Sequence, residues 1–194
     1  MSRLTVVNFL TLDGVMQAPG HADEDRRGGF EHGGWQGRYG DQVMGEYMGR
    51  DIAAAAGGSM LFGRRTYEKM AAVWPHAPAD NPFTDVMNKR RKYVCSTTLS
   101  EPLEWNNSTL LKGDAAVSVA KLKARDDGDI VILGSGELIR SLMPHRLIDE
   151  YVLPIHPVVM GTGIRMFDGA YAELELVESV PTTTGVIITR YAPA

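Results

Sequence analysis

Short apolar runs alternate with amphipathic segments along the chain, and this alternation predicts strands separated by helices. The apolar runs lie at residues 4–12, 59–62, 92–96, 109–111, 130–133 and 151–155. The helical patterns occupy residues 41–56, a segment from about 64 onward, 114–123 and 136–143. Strands that alternate with helices favour a mostly parallel sheet covered on both faces. The predicted fold is therefore α/β, a three-layer α/β/α arrangement in one domain over residues 1–194.

Finer features of the pattern predict how individual elements begin, end and pair. The run 4–12 is apolar enough to be a strand buried on both faces. Asp41 and Asp114 stand where helix caps belong. Pro154 interrupts its strand pattern, which favours an edge position or a bulge. Residues 174–179 and 186–191 are expected to close the chain as an antiparallel hairpin.

Between residues 17 and 40 the pattern loses its periodicity. Glycines and charges surround four isolated aromatic residues, Phe30, His32, Trp35 and Tyr39. Long loops of this kind are often lids or binding loops, and aromatic rings can stack on a flat heterocycle. The alternative is a surface loop or dimer contact in which the aromatic residues are anchors.

Composition excludes several classes of partner and compartment. The net charge of −4 gives no reason to expect a nucleic acid or an acidic membrane surface as the main partner. The single cysteine, Cys95, cannot form an intrachain disulfide and is interpreted as a small core residue, although a catalytic thiol is conceivable. The N-terminus resembles a strand, and no apolar run approaches membrane-spanning length. We expect a cytoplasmic protein that binds a small molecule. The five histidines lack close metal-ligand spacing, so no metal is expected.

Residues 130–137 carry the most specific candidate site. The apolar strand is followed by Gly134, Ser135, Gly136 and Glu137 at the start of a helix. Small residues let the backbone approach a phosphate, and the helix amides supply donors. The alternative is a tight strand-to-helix turn that needs glycine for its backbone angles. The dinucleotide fingerprint of Rossmann domains fits poorly, because Ile139 stands where the third glycine belongs.

Two other strand ends carry polar residues suited to an anion. Gly63, Arg64, Arg65 and Thr66 join a strand to a helix, and guanidinium groups beside a helix N-terminus favour phosphate. Ser96 and Thr97 follow the run 92–96 and offer hydroxyls for a phosphate or a ribose. Open α/β sheets bind ligands beyond the carboxyl ends of their strands.

Taken together, these motifs resemble the dihydrofolate reductase superfamily. The similarity is greatest to stand-alone relatives of the reductase domain of bacterial riboflavin-biosynthesis deaminase–reductases. This similarity covers nearly the whole chain. The residues that carry it are 10–14, 61–68, 96–97, 133–137, 149–150 and 157–163.

The resemblance implies binding of NADPH. Gly63, Arg64, Arg65 and Thr66 would hold the pyrophosphate and the 2′-phosphate side. Ser96 and Thr97 would lie beside the adenosine. The pyrophosphate and nicotinamide side would be lined by Gly134, Ser135, Gly136 and Glu137. A homodimer is also expected from the resemblance.

The substrate side is predicted from fewer signals. Asp13 lies near the expected nicotinamide pocket, where it would orient substrate or relay a proton; an ordinary Asp-Gly turn is the alternative. The candidate substrate contacts are Asn8, Trp35, Tyr47 and Trp74. Trp74 is equally compatible with a place in the core, and no carboxylate aligns with the acidic residue that grips the pterin in dihydrofolate reductases.

The function predicted from these features is reduction by NADPH, with hydride transfer to an activated C=N or C=O bond of a small, heterocyclic substrate. The alternative is a non-catalytic ligand-binding or assembly protein that retains the cofactor cleft. An enzyme with a tightly bound flavin is a third possibility for which no residue specifically argues.

Overall fold

The computed structural model describes residues 1–54, 57–125 and 128–194. Within these residues the α-helices are α1 Gln42–Ala54, α2 Arg64–Val73, α3 Thr84–Lys89, α4 Ala115–Ala124 and α5 Gly136–Leu142. The strands are β1 Leu4–Val7, β2 Leu10–Thr11, β3 Ser59–Gly63, β4 Arg91–Cys95, β5 Ser108–Leu111, β6 Ile130–Leu133, β7 Glu150–His156, β8 Leu174–Pro181 and β9 Ile187–Pro193. Among them, no helix combines the length and the apolar character needed to cross a bilayer.

The strands form one mixed sheet in the order β5-β4-β3-β6-β1-β7-β9-β8, with β2 also paired to β7. All pairs from β5 to β7 are parallel. The pairs β7–β9 and β8–β9 are antiparallel. The predicted α/β class, with a mostly parallel sheet and an antiparallel C-terminal hairpin, is confirmed.

The first apolar run is two strands rather than one. β1 ends at Val7 and β2 begins at Leu10, and both pair with β7. The exposure of β1 alternates, so the prediction of a strand buried on both faces is wrong.

Pro154 also departs from its prediction, because β7 is an interior strand. In the register of β7, Val152 lies opposite Val7 and Ile155 lies opposite Leu10. Pro154 therefore faces the break between β1 and β2, where a missing N–H costs no ladder hydrogen bond. The irregularity of the sheet lies instead in β8, between Leu176 and Glu178.

Helix caps follow the local sequence. Asp41 Oδ1 accepts a hydrogen bond from the Met44 N–H at 2.8 Å, and Asp114 Oδ1 accepts one from the Val117 N–H at 2.9 Å. Both predicted caps are confirmed. The predicted end of the first helix, at residues 55 and 56, lies outside the described residues. The short α3 was not predicted, because the prolines around it favour irregular chain.

One face of the sheet is fully covered. Leu4 and Val6 of β1 and Ile130 and Ile132 of β6 are 0–1% exposed and pack against α4 and α5. The packing partners on these helices are Val119, Leu122, Leu138, Ile139 and Leu142.

The opposite face is covered unevenly. At one side, Tyr67 of α2 and Met87 of α3 pack on β3 and β4. At the other side, Met44 and Tyr47 of α1 pack with Val152 of β7 and with β9. The central strands β1 and β6 lie between these two clusters, and their side chains on this face are only partly buried.

Adjacent valines of β1 test this difference between the two faces. Val6 is fully buried and Val7 is partly exposed. Val6→Ala should lower the free energy of unfolding by about 2 kcal/mol, because it leaves a cavity in a closed core. Val7→Ala, the matched control, should cost about 1 kcal/mol or less. Urea denaturation measures both, and equal losses would contradict the uneven covering.

Candidate functional site

A cavity of about 830 Å³ occupies the uncovered part of the sheet. Thr5 of β1, Val131 of β6 and Met60 of β3 lie side by side in register on its floor. Residues of α1 form one wall, and residues of α2, α3 and the turn between them form the other. The wall residues are Met44, Gly45, Met48, Met70, Val73, Trp74, Phe83, Val86 and Met87. The cavity is therefore the gap that the helices leave over β1 and β6.

The carboxyl ends of β1, β3 and β6 meet at one end of this cavity, and β4 lies next to β3. Gly63 pairs with Cys95, and Val7 pairs with Leu133. The turns that follow β3 and β6 are consequently neighbours, and residues 63–66 and 134–137 all line the cavity. The structure thus brings together two of the three sequence motifs at the predicted edge.

The two turns are in direct contact. The Ser135 hydroxyl accepts a hydrogen bond from the Gly63 N–H at 3.0 Å. Gly134 and Ser135 both have left-handed backbones, with φ of 62° and 64°. A Cβ on Gly136 would lie 2.5 Å from Met16 Sδ, so only glycine fits there without a shift of the methionine. These contacts pack the backbone of the glycine-rich motif closely against its neighbours at the cavity mouth.

Two arginines lie at the start of α2, whose N-cap residue, Gly63, has no side chain to cap the helix. Arg65 Nη1 binds Glu137 Oε1 at 2.8 Å, which links α2 to α5. Arg64 binds Glu68 within α2 at 3.1 Å. Both arginines are partly exposed, so an incoming anion can exchange with their carboxylate partners at small cost.

The first part of the loop, residues 17–27, lines the cavity and is fixed by charges. Asp25 is buried and binds Arg27 at 2.6 Å and Lys69 of α2 at 2.9 Å. The Arg27 hydrogen bond dominates and, with that of Lys69, holds the pKa of Asp25 well below its ordinary value. Gln17 donates to the carbonyls of Asp25 and Arg27. This segment is therefore tied to α2 at the cavity rim.

The aromatic part of the loop is an anchor. Trp35 and Phe30 are 5% and 3% exposed. The Trp35 indole donates to the Gln17 carbonyl at 2.8 Å, and its ring lies 5.0 Å from that of the buried His156. Tyr39 meets the same histidine at 5.4 Å. Trp35 does not line the cavity, and its ring helps to hold the loop in place. Its role as a substrate contact stays a prediction.

Asp13 likewise lies outside the cavity lining. It accepts hydrogen bonds from the Thr11 hydroxyl and from the N–H groups of Met160 and Gly161. Burial alone would raise the pKa of Asp13, but these hydrogen bonds outweigh it and lower the pKa to about 2. A carboxylate with so low a pKa is a poor proton donor near neutral pH. The geometry favours the turn interpretation over the catalytic one.

The other predicted residues divide into two groups. Asn8 and Trp74 line the cavity. Tyr47, Ser96 and Thr97 do not. The roles of all five stay predictions.

Hydrogen bonds show what these last residues do in the structure. The Tyr47 hydroxyl donates to Glu178 at 2.8 Å. The Ser96 hydroxyl accepts from the backbone of Thr98 and Leu99 at the carboxyl end of β4. Burial raises the pKa of the Cys95 thiol to about 12, which makes it unreactive and favours the core interpretation.

Sequence reasoning missed the far end of the cavity. Arg3, Glu150 and Arg190 line it at the amino ends of the strands. Glu150 is buried and binds Arg3 at 2.6 Å and Arg190 at 2.5 Å. These residues come from three distant parts of the chain, so no local pattern signals their meeting.

The turn role of Asp13 has a testable pH dependence. Its folded pKa of about 2 lies below the ordinary value of 3.8, so its stabilisation is present above pH 4 and is lost as the pH falls toward 2. Asp13→Asn should lower the free energy of unfolding by about 2 kcal/mol at pH 7 and by about half as much at pH 3. Urea denaturation at both values measures this. Unchanged stability with lost turnover would instead indicate a catalytic role.

Comparison with known sequences finds two uncharacterized proteins of Bacillus subtilis. YyaP is 30% identical over 114 residues, which cover 56% of this chain and 58% of YyaP. YwjB is 27% identical over 120 residues, which cover 61% of this chain and 63% of YwjB. The matched region is thus less than two thirds of either relative.

Solved structures share the fold at low sequence identity. A candidate riboflavin biosynthesis protein of Shewanella sp. PV-4 superposes with a TM-score of 0.68 at 19% identity, covering 99% of both chains. A pyrimidine reductase-like protein of Corynebacterium diphtheriae gives 0.65 at 13% identity, covering 100% of this chain and 92% of that one.

A longer protein contains the same fold as one part. The diaminohydroxyphosphoribosylaminopyrimidine deaminase/5-amino-6-(5-phosphoribosylamino)uracil reductase of Thermotoga maritima gives a TM-score of 0.63 at 14% identity, covering 100% of this chain and 57% of that one. The sequence model of the RibD C-terminal domain matches residues 3–188. With nearly the whole chain matched, this protein belongs to the RibD C-terminal domain family.

Proposed function

We propose that the protein is an NADPH-dependent reductase that delivers hydride to an activated C=N or C=O bond of a small substrate. Its family and the names of two structural relatives, a pyrimidine reductase-like protein and a uracil reductase, support a reductase. The observation that carries the proposal is the contact between the turns 63–66 and 134–137 at the mouth of a large cavity.

The residues at this mouth fit a dinucleotide phosphate. Gly134 and Gly136 carry no side chain at this mouth, and the first N–H groups of the ten-residue α2 receive no side-chain cap from Gly63. Arg64 and Arg65 add two guanidinium groups at the same place. The proposal assigns Gly63 to Thr66 to the pyrophosphate and 2′-phosphate, residues 134–137 to the nicotinamide side, and Ser96 with Thr97 to the adenosine.

The bound cofactor would supply a hydride, and the chain would supply alignment and exclusion of water. Residues 17–27 border the cavity at the same edge as the two turns. Because Asp25 ties this segment to Lys69 of α2, the wall beside the cofactor site is ordered before binding. A pre-ordered wall lowers the entropic cost of placing the two reactants together.

We also propose a cytoplasmic homodimer. The edge strand β8 exposes Leu176 and Val177, each at 58%, and an apolar edge of this kind favours pairing with a second copy. Light scattering of the purified protein measures its mass directly, and a monomer would contradict this part of the proposal.

The cofactor assignment predicts a difference between NADPH and NADH. Arg64→Ala/Arg65→Ala should raise the Kd for NADPH by about tenfold or more, because charge-assisted contacts to the 2′-phosphate are lost. The Kd for NADH should change by less than about threefold. Titration by tryptophan fluorescence measures both constants.

Arg125→Ala is the matched control, since Arg125 is an exposed arginine at the end of α4, away from the cavity lining. It should leave both constants unchanged. Equal losses for NADPH and NADH in the double variant would refute the 2′-phosphate assignment. Absence of binding of either nucleotide to the unaltered protein would refute the proposed cofactor.

A further inference from the structure

We propose that the part of the cavity beyond the cofactor turns takes a neutral, largely apolar carbonyl compound, and not a phosphorylated sugar derivative. This inference rests on the proposed reductase function. It concerns the cavity between α1 and α2–α3, over β1 and β6. We call the part bounded by Val7, Met48, Met60, Val73 and Val131 the apolar half.

Helices cover the floor of the apolar half only at its margins, where Val7 packs against the cluster of α1 and Leu133 against that of α2 and α3. Val7, Val131 and Leu133 are only partly buried, while their neighbours in β1 and β6 on the other face are fully buried. Apolar side chains on central strands ordinarily pack against a helix or a second sheet. Here they face a cavity large enough for a small molecule, and burial of that molecule's apolar surface would supply the missing contacts.

The walls are rich in the most adaptable apolar side chain. Six of the ten methionines line the cavity: Met16, Met44, Met48, Met60, Met70 and Met87. Thioether side chains adjust to irregular shapes and make favourable contacts with aromatic rings. Such walls suit an aromatic or alicyclic body more than a hydrogen-bonding sugar.

Four of the cations that line the cavity are engaged by buried carboxylates. Glu150, whose side chain is 5% exposed, binds both Arg3 and Arg190. Asp25, whose side chain is 7% exposed, binds Arg27 and Lys69. A phosphate could use these cations only by leaving a buried carboxylate without its partners, which is strongly unfavourable. The uracil reductase of Thermotoga maritima carries a phosphoribosyl substrate in its name, and these pairs argue against that class here.

Strand geometry limits the length of the occupant. The floor runs along the four residues of β1 and β6, from the cofactor turns to the cluster of Arg3, Glu150 and Arg190. Four residues of strand span roughly 13 Å. The fitting substrate is therefore about as long as two or three fused rings, with its carbonyl at the cofactor end. Its carbonyl carbon would receive the hydride and its oxygen a proton from water, giving an alcohol and NADP⁺.

Displacement of a neutral dye tests the preference without requiring turnover. Nile red fluorescence would report occupancy of the apolar half, with 2-naphthol and 2-naphthyl phosphate as competitors that share one ring system. Measurements with and without saturating NADP⁺ separate this half from the cofactor turns. We expect 2-naphthol to displace the dye at a concentration at least tenfold lower than 2-naphthyl phosphate does in both conditions.

A pair of valines provides matched variants. Val73 lines the cavity and Val117 lies on α4 outside it, and they are 52% and 53% exposed. Val73→Glu should weaken dye binding at least fivefold, whereas Val117→Glu should leave it unchanged. Met48→Glu, on the opposite wall, should act like Val73→Glu, and circular dichroism checks that each variant folds.

The outcomes separate the two proposals. Equal or better displacement by the phosphate, no dye binding, or equal effects of the two valine variants would overturn the apolar assignment. A change of molecular mass in Val73→Glu would also overturn it, by showing that a second copy fills the cavity. The expected dye results, without NADPH oxidation at 340 nm on neutral aromatic and alicyclic ketones, would support the apolar assignment and count against the reductase.

Discussion

The uneven covering of one sheet face is the constraint on which the rest of the structure depends. α4 and α5 close one face completely, and the hydrophobic core there holds the central strands in place. On the other face α1 packs toward β7 and β9, while α2 and α3 pack toward β3 and β4. The strands between these helices are therefore packed on the face of α4 and α5 and uncovered on the other face. A cavity over a fixed floor is the direct consequence.

The same arrangement explains why the candidate phosphate turns lie where they do. Parallel strands place all their carboxyl ends at one edge, so the turns after β3 and β6 become neighbours without any sequence signal between them. Their contact then depends on small residues. Ser135 reaches the Gly63 backbone, and Gly136 leaves room for Met16. Larger side chains at these positions would separate the turns and close the cavity mouth.

Local sequence predicted the features that depend on neighbouring residues. The sequence predicts the caps at Asp41 and Asp114 and the turn at Gly134, because caps and tight turns need particular residues at fixed offsets. The strand order within the sheet and the closure of one face could not be predicted in this way, because they depend on contacts between residues far apart in the chain. Pro154 is an example of such a contact. A proline fits inside β7 because the break between β1 and β2 lies opposite it, and nothing near Pro154 in the sequence indicates that break.

The surroundings of some predicted site residues depend on partners that are distant in the sequence. Asp13 resembles a catalytic carboxylate in sequence, yet its low pKa follows from a hydrogen bond of the Thr11 hydroxyl together with those of backbone N–H groups nearly 150 residues away. Trp35 resembles a stacking platform, yet it packs on His156, where burial lowers the pKa and keeps the imidazole neutral. Nothing in the sequence near either residue announces these partners.

An open apolar cavity is stable only if its walls cannot collapse onto the floor. Two buried carboxylates link the elements at its opposite ends. Glu150 joins β7 to β9 and to the residue before β1 through Arg190 and Arg3, and Asp25 joins the loop to α2 through Lys69. Removing either carboxylate would break these links between elements. The ion pairs that disfavour a phosphate in the apolar half are therefore also contacts that hold the ends of the cavity in place.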